Sequence, residues 1–211
     1  MPTVLLLGYS CVGKSTIVRE VRDRWPEVEG LDSDDWVAEP YGAHIYEVFF
    51  RLGRLAALDQ IAYREGLFLD ALEPVDGPRV IAAGPALPSR KEWTAFVGRV
   101  QPTFVYLELT PEEELIALRG RRAKHADTPG IAGHRLFGSW DEGLTTIRQP
   151  GPTWADVDDA EALENIRREM RQLVAIYEQH TDVEHRYSKE ARWGFESNRI
   201  VEDIGRLLRV G

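Results

Sequence analysis

The sequence predicts an α/β protein, a parallel sheet of about five strands covered by helices on both sides. Three observations predict it. Short apolar runs, such as Val4 to Leu7, "RVIAA" (79–83) and "TFVYLEL" (103–109), are of the kind buried on both faces of a sheet. Stretches with apolar residues at helical spacing separate them. The first run also leads through "GYSCVGKS" straight into such a stretch, as a strand–loop–helix unit requires.

Val4 to Leu7 reads as the first strand. A helix should start near Gly13 or Lys14, with Ile17, Val18, Val21 and Trp25 at helical spacing and Pro26 as its stop. A short strand leads through Leu31 into "DSDD". Residues 43–72 read as two helices that meet near Gly53, broken by Pro74, Gly77 and Pro78. The strand 79–83 ends at Gly84-Pro85, and Ser89 is placed as the cap of a helix running through Val97. After the strand 103–109, Thr110-Pro111 with three glutamates makes a good helix start, because a hydroxyl cap, a first-turn proline and early acids all favour one. That helix runs into "RGRRAKH". Residues 126–157 are rich in Gly, Pro and Thr and read as loop. Residues 158–180 form the most regular helix, with Leu163, Ile166, Met170, Leu173, Val174 and Tyr177 as its apolar stripe. The stripe suits packing on the main domain, or a dimer seam. A last strand is expected at "ARWGF" (191–195), and a last helix after Asn198 buries Ile200, Val201, Ile204, Leu207 and Leu208.

The 211 residues, 43% apolar, suit one domain over 1–211 with a substantial core. Twenty-six basic and thirty-five acidic residues leave a formal charge of -9, which argues against nucleic acid as a partner. Cys11 is the single cysteine, so no internal disulfide forms, and structural zinc is disfavoured. The five histidines show no paired metal-ligand spacing. No basic-then-apolar signal pattern opens the chain, and Val4 to Leu7 is far too short to span a bilayer. The expected location is the cytoplasm, with no membrane partner.

"GYSCVGKS" has two glycines five apart followed by Lys and Ser, the pattern of a phosphate-binding loop (P-loop, Walker A). Average residue frequencies give it by chance in roughly one chain of this length in a hundred. The flanking strand and helix lower that several-fold. Glycines let backbone N–H groups approach phosphate oxygens, and the helix N-terminus adds a favourable dipole. Gly8, Tyr9, Ser10, Cys11, Val12, Gly13, Lys14, Ser15 and Thr16 would cradle ATP. Lys14 would meet the β and γ phosphates, and Ser15 would ligate magnesium (Mg2+). The fold expected is therefore the three-layer P-loop NTPase fold.

Switch GTPases use a guanine-reading Asn-Lys-x-Asp, and none occurs. Motor ATPases end an apolar strand in Asp or Asp-Glu, yet "VIAAG" ends in glycine and Glu108 stands within "VYLEL". The carboxylates cluster early instead, in "LDSDDW". The series "LLLGYSCVGKST", "LDSDDWVAE", "VIAAG" and "FVYLEL" with arginines after it resembles the shikimate kinase group over residues 3 to about 125, with a weaker echo in "RYSKEARWGF". That resemblance implies a metal-side role for Asp32, an acceptor-side role for Asp34, and a lid at about 120–137 whose arginines, Arg119, Arg121 and Arg122, close over the phosphates. Arg119 and Arg122 are the catalytic candidates, with Lys14 and Asp34. Three glycines of the family reduce here to Gly84 before Pro85-Ala86. The family's carboxylate-holding arginine falls on Leu58, leaving Arg51 and Arg54 as substitutes. A helical insertion at about 138–182 is a further departure, so shikimate is not the favoured acceptor. Similar frames occur in gluconate kinases, chloramphenicol phosphotransferase-like antibiotic kinases and zeta-type toxins.

The function expected is ATP-dependent transfer of the γ-phosphate to a hydroxyl of a small molecule, by a monomer or homodimer. Two alternatives are a polynucleotide 5′-hydroxyl or nucleotide kinase, and a nucleotide-binding regulator without transfer activity.

Overall fold

The computed structural model describes residues 2–45, 48, 52, 54–124, 159–188 and 197–210. Among them, strands and helices alternate as the sequence predicts. They are β1 (Thr3–Gly8), α1 (Lys14–Arg24), β2 (Glu29–Asp32), α2 (Ser33–Ala38), α3 (Arg54–Ala71), β3 (Arg79–Ala82), α4 (Trp93–Val100), β4 (Thr103–Leu107), α5 (Pro111–Lys124), α6 (Asp159–His180), β5 (Val183–Tyr187) and α7 (Ser197–Leu208). The five strands pair in parallel in the order β2-β3-β1-β4-β5. This is the three-layer P-loop fold.

Strand period 2 divides the core. Val4 and Leu6 of β1 face Ile17, Val18 and Val21 of α1 and Ile200, Val201 and Ile204 of α7. Leu5 and Leu7 face the other layer, where Phe68 and Leu69 of α3, Trp93 and Phe96 of α4, and Leu173 and Tyr177 of α6 pack. All four β1 residues are fully buried. Each leucine so placed contributes roughly 1.5–3 kcal/mol, and their burial on both faces explains why β1 reads as an unbroken apolar run.

Thr110 and Glu113 form the expected start of α5. The Glu113 N–H donates to Thr110 Oγ1 at 3.2 Å, and the Thr110 N–H donates to the Glu113 carboxylate at 2.8 Å. These reciprocal bonds satisfy two donors at the helix end. The stripe on α6 packs on the main domain through Ile166, Leu173 and Tyr177.

One expectation needs correction. Ser89 caps no helix. Its hydroxyl donates to the Ala86 carbonyl inside a 3-10 turn at Leu87–Ser89, and α4 begins only at Trp93 and runs to Val100. The last strand described is β5 at Val183–Tyr187, whereas "ARWGF" lies outside the described residues. The segment "VEHRY" is polar because β5 is an edge strand with β4 as its only described neighbour, so no apolar run marks it. The expected loop 126–157, Gly53 and most of the expected lid also lie outside the described residues.

Candidate functional site

The parallel sheet brings the C-terminal ends of β1, β2 and β3 to one edge, where open α/β sheets bind ligands. β1 ends at Gly8, with φ 142°. A Cβ there would stand 2.6 Å from the backbone oxygen of Leu107, so only glycine fits. The chain then turns through Cys11 (φ 60°) and Gly13 (φ 96°), both left-handed, into α1. Alternation of this kind turns successive N–H groups toward one point. The N-cap of α1 is Gly13, which has no side chain to take up a first-turn N–H. The Cys11 side chain packs against the cluster of Leu115, Leu118, Ala162 and Ile166, which is the passive role its size suits.

Lys14 Nζ donates to the carbonyls of Gly8 at 2.9 Å and Tyr9 at 2.8 Å. Burial pulls the lysine below its ordinary value, while the charges of Asp34, Asp32 and Glu114, with Cys11, push it back up. The half-buried ammonium faces this group of acids, whose repulsion of an incoming polyanion a divalent cation between them would offset.

Across the cavity, Asp32 closes β2 and caps α2 by accepting the Asp34 N–H at 2.9 Å. Ser33 is fully buried, and its hydroxyl accepts the Gly84 N–H at 2.7 Å, tying the end of β2 to the end of β3. A Cβ on Gly84 would lie 2.9 Å from Asp34 Oδ1. One cavity of about 210 Å³ is lined by the loop from Ser10 to Thr16 and by Asp32, Asp34, Ala83, Pro85 and Ala117. The structure thus brings Lys14, Ser15, Asp32 and Asp34 together around one space, with Gly84 immediately beside Asp34.

Arg119 is not gathered there. It donates to Asp159 at 2.6 Å and does not line the cavity. The helices α3 and α5 carry Arg54, Arg121 and Arg122, but their side chains lie outside the described residues, as does all of Arg51. Leu58, at the family's arginine position, is half-buried on α3.

Sequence reasoning missed several groups. Glu114 is completely buried and its charge acts on Lys14, yet in "PEEEL" it reads as one of three acids answering a helix dipole. Glu65, 4% exposed, accepts from Arg90 Nε at 2.6 Å. Burial nevertheless holds its carboxyl above the usual range, with Arg90 pulling the other way. A single Glu and a single Arg twenty-five positions apart carry no signal in sequence. Ser33 was legible only as part of "DSDD".

Among the described residues no three His, Cys, Asp or Glu side chains form a metal cluster. The oxygen donors that face the cavity, the Ser15 hydroxyl and the Asp32 carboxylate, fit magnesium, which keeps several waters and takes further ligands from phosphate.

No protein-family model matches the chain, and no curated protein matches it. Solved structures do. The chain is similar to shikimate kinase from Bacteroides thetaiotaomicron, with a TM-score of 0.62 and 15% identity, over 99% of both chains. Shikimate kinase from Acinetobacter baumannii, solved in complex with shikimate, gives 0.62 and 17% over 99% of this chain and 93% of that one. The Aquifex aeolicus enzyme gives 0.55 and 18% over 98% and 96%. At these identities the likeness establishes a shared architecture: the chain has the P-loop fold of the shikimate kinases.

Proposed function

We propose that the chain is an ATP-dependent kinase that moves the γ-phosphate to a hydroxyl of a small molecule, with shikimate not the favoured acceptor. One observation carries the reading: Lys14, in a glycine-shaped cradle, and Asp34 line the same cavity. Phosphoryl transfer asks for alignment and charge compensation more than covalent help. The loop N–H groups and Lys14 would hold the triphosphate. Magnesium, held by Ser15 and Asp32, would offset charge on the β and γ phosphates. Asp34 would orient the acceptor hydroxyl and take its proton as transfer proceeds. Gly84 leaves room beside it, and Arg51 and Arg54 are the acceptor-side cations of the proposal. Arg119 and Arg122 would close over the phosphates, which requires Arg119 to leave Asp159. An exposed ion pair of that kind is worth about 1 kcal/mol or less, so it is readily exchanged for phosphate. Lid closure would also keep water from the γ-phosphate.

The test is transfer of labelled γ-phosphate from ATP to a panel of small alcohols, sugars and aminocyclitols. We expect one class to be phosphorylated by wild type, and Asp34→Asn to lose at least a hundredfold in rate while still binding ATP. Wild-type transfer rates in Asp34→Asn would remove the acceptor role from Asp34. Hydrolysis without any acceptor, coupled to a partner protein, would favour a nucleotide-binding regulator.

A further inference from the structure

Two side chains of α6 reach the phosphate loop, and the chemistry above uses neither. Tyr177 is buried, with its hydroxyl 3.3 Å from the Gly8 carbonyl oxygen and 3.3 Å from that of Pro85. Two helical turns earlier, Glu169 accepts a hydrogen bond from the Tyr9 hydroxyl. Gly8 and Tyr9 are the very residues whose carbonyls accept from Lys14 Nζ. Both supports of the lysine are therefore tied to one helix.

We propose that Tyr177, seconded by Glu169, is a positioning residue for Lys14, and that α6 thereby aims the ammonium at the phosphate. The inference rests on the nucleotide reading of the loop. A lysine ammonium has three donors on a flexible stem and no preferred direction of its own. Two fixed carbonyls occupy two donors and leave the third with a defined direction. Those carbonyls stay fixed only while the loop does. Cys11, in a left-handed conformation that a residue with a Cβ disfavours, shows that the loop is held by its surroundings. Tyr177 adds a second constraint. Its hydroxyl spans from Gly8, under the nucleotide loop, to Pro85, which lines the acceptor side of the cavity. The phenol thus adds a contact between the two walls just beyond the last β1–β3 backbone bond, Ala83 N–H to the Leu6 carbonyl at 3.0 Å. Burial pushes that phenol well above its ordinary pKa, so it stays a donor throughout the working range. A tyrosine that merely fills the core would support stability and leave Lys14 indifferent to its hydroxyl.

A double-mutant cycle separates the two roles. Affinity for a non-hydrolysable ATP analogue with magnesium is measured by calorimetry on wild type, Tyr177→Phe, Lys14→Met and the double variant, with melting curves alongside. We expect Tyr177→Phe to weaken binding about five- to tenfold. In the Lys14→Met background the same change should weaken it less than twofold. Glu169→Gln, which keeps a carbonyl acceptor for Tyr9, should bind like wild type, and Glu169→Ala should lose a few-fold. Full affinity in Tyr177→Phe, or losses that simply add in the double variant, overturns the proposal while leaving the kinase reading intact. Wild type that binds no analogue, or Lys14→Met that binds as wild type does, overturns both. Should Tyr177→Phe not fold, Tyr9→Phe combined with Lys14→Met runs the same cycle from the other support.

Discussion

In the proposed kinase, Gly84 is the residue on which the acceptor wall would turn. A methyl group added there would meet Asp34 Oδ1 at 2.9 Å, Glu65 Oε1 at 3.1 Å and Ser33 Oγ at 3.2 Å. These are side-chain atoms, and Asp34 Oδ1 is the nearest of the three, so the methyl group displaces it first. Gly84→Ala should therefore keep the fold and keep affinity for an ATP analogue within about twofold, while transfer falls at least tenfold, because a displacement of about an ångström at a reacting group costs up to a hundredfold. Steady-state kinetics beside calorimetry checks this, and equal losses in both would show that the methyl group disturbs more than Asp34. Lys14 supports a second prediction. Phosphate prefers the protonated ammonium, and the free protein holds this lysine below its ordinary value. Affinity should thus be full at low alkalinity and fall as pH rises past that lowered value, earlier than an ordinary lysine would allow. Titrating analogue affinity between about pH 7 and 10 reads it, and Lys14→Arg should flatten the profile. At this scale the loop was legible in sequence, because backbone geometry dictates glycine at 8 and 13. Glu114 and Tyr177 were not, since a buried acid or phenol that turns toward the loop has the same helical spacing as one that does not.

At the scale of elements, α3 is fastened to the turn before α4 by the Glu65–Arg90 pair, and this fastening sets a pH dependence. Glu65 is 4% exposed, and its carboxyl is raised by burial and only partly lowered by Arg90. A carboxyl with a folded pKa above its unfolded one binds its proton more firmly in the folded chain. The sign follows: stability falls as pH climbs from the unfolded value to the folded one, and then stays lower. Arg90→Met removes the compensation, leaves a buried carboxyl to neutralise itself, and should cost about 3–5 kcal/mol near neutral pH. Part of that loss should return on acidification toward pH 5, by urea unfolding at several pH values. A loss independent of pH would place the damage in packing instead. Thr110→Ala tests a smaller device, since removing the hydroxyl that accepts the Glu113 N–H should cost about 1 kcal/mol. That cap could be read from Thr-Pro-Glu-Glu because capping chemistry is local. β5 could not, because "VEHRY" is a strand only through its pairing with β4, where Tyr106 opposes Arg186. Helix α4 was misplaced for the same reason. Pro88 and the 3-10 turn at Leu87–Ser89 absorb the segment that a lone serine cap suggested for it.

At the scale of the whole molecule, the strand order puts β1 between β3 and β4, so the phosphate loop leaves the middle of the sheet with β2 and β3 ending beside it. Architecture thus supplies the meeting of Lys14, Asp32 and Asp34; alternating runs in the sequence sufficed to predict the sheet, while the two aspartates were singled out through the resemblance to the shikimate kinase group. The acceptor is a different matter, because in the proposed reading its specificity would rest on residues scattered over α2, α3 and the turn after β3, which no local pattern links. The charge of the molecule still discriminates between acceptor classes. The formal charge is -9, and the described cavity presents one cation, Lys14, against Asp32 and Asp34. A polynucleotide binds by releasing counterions along a row of cations, and its affinity then falls steeply with salt. A triphosphate needs only the cradle. We therefore expect ATP with magnesium to raise the melting temperature, since a ligand at a hundred times its Kd adds about 2.7 kcal/mol. We expect a single-stranded oligonucleotide with a free 5′-hydroxyl neither to raise it nor to accept phosphate at about 0.15 M salt. Lys14→Met should shrink the ATP shift without removing it, which ties it to the loop. An oligonucleotide that binds tightly, with a steep salt slope, and takes up label at its 5′ end would reverse the assignment: the acceptor hydroxyl facing Asp34 would then be that of a nucleic-acid terminus, and the cations it needs would have to come from outside the described cavity.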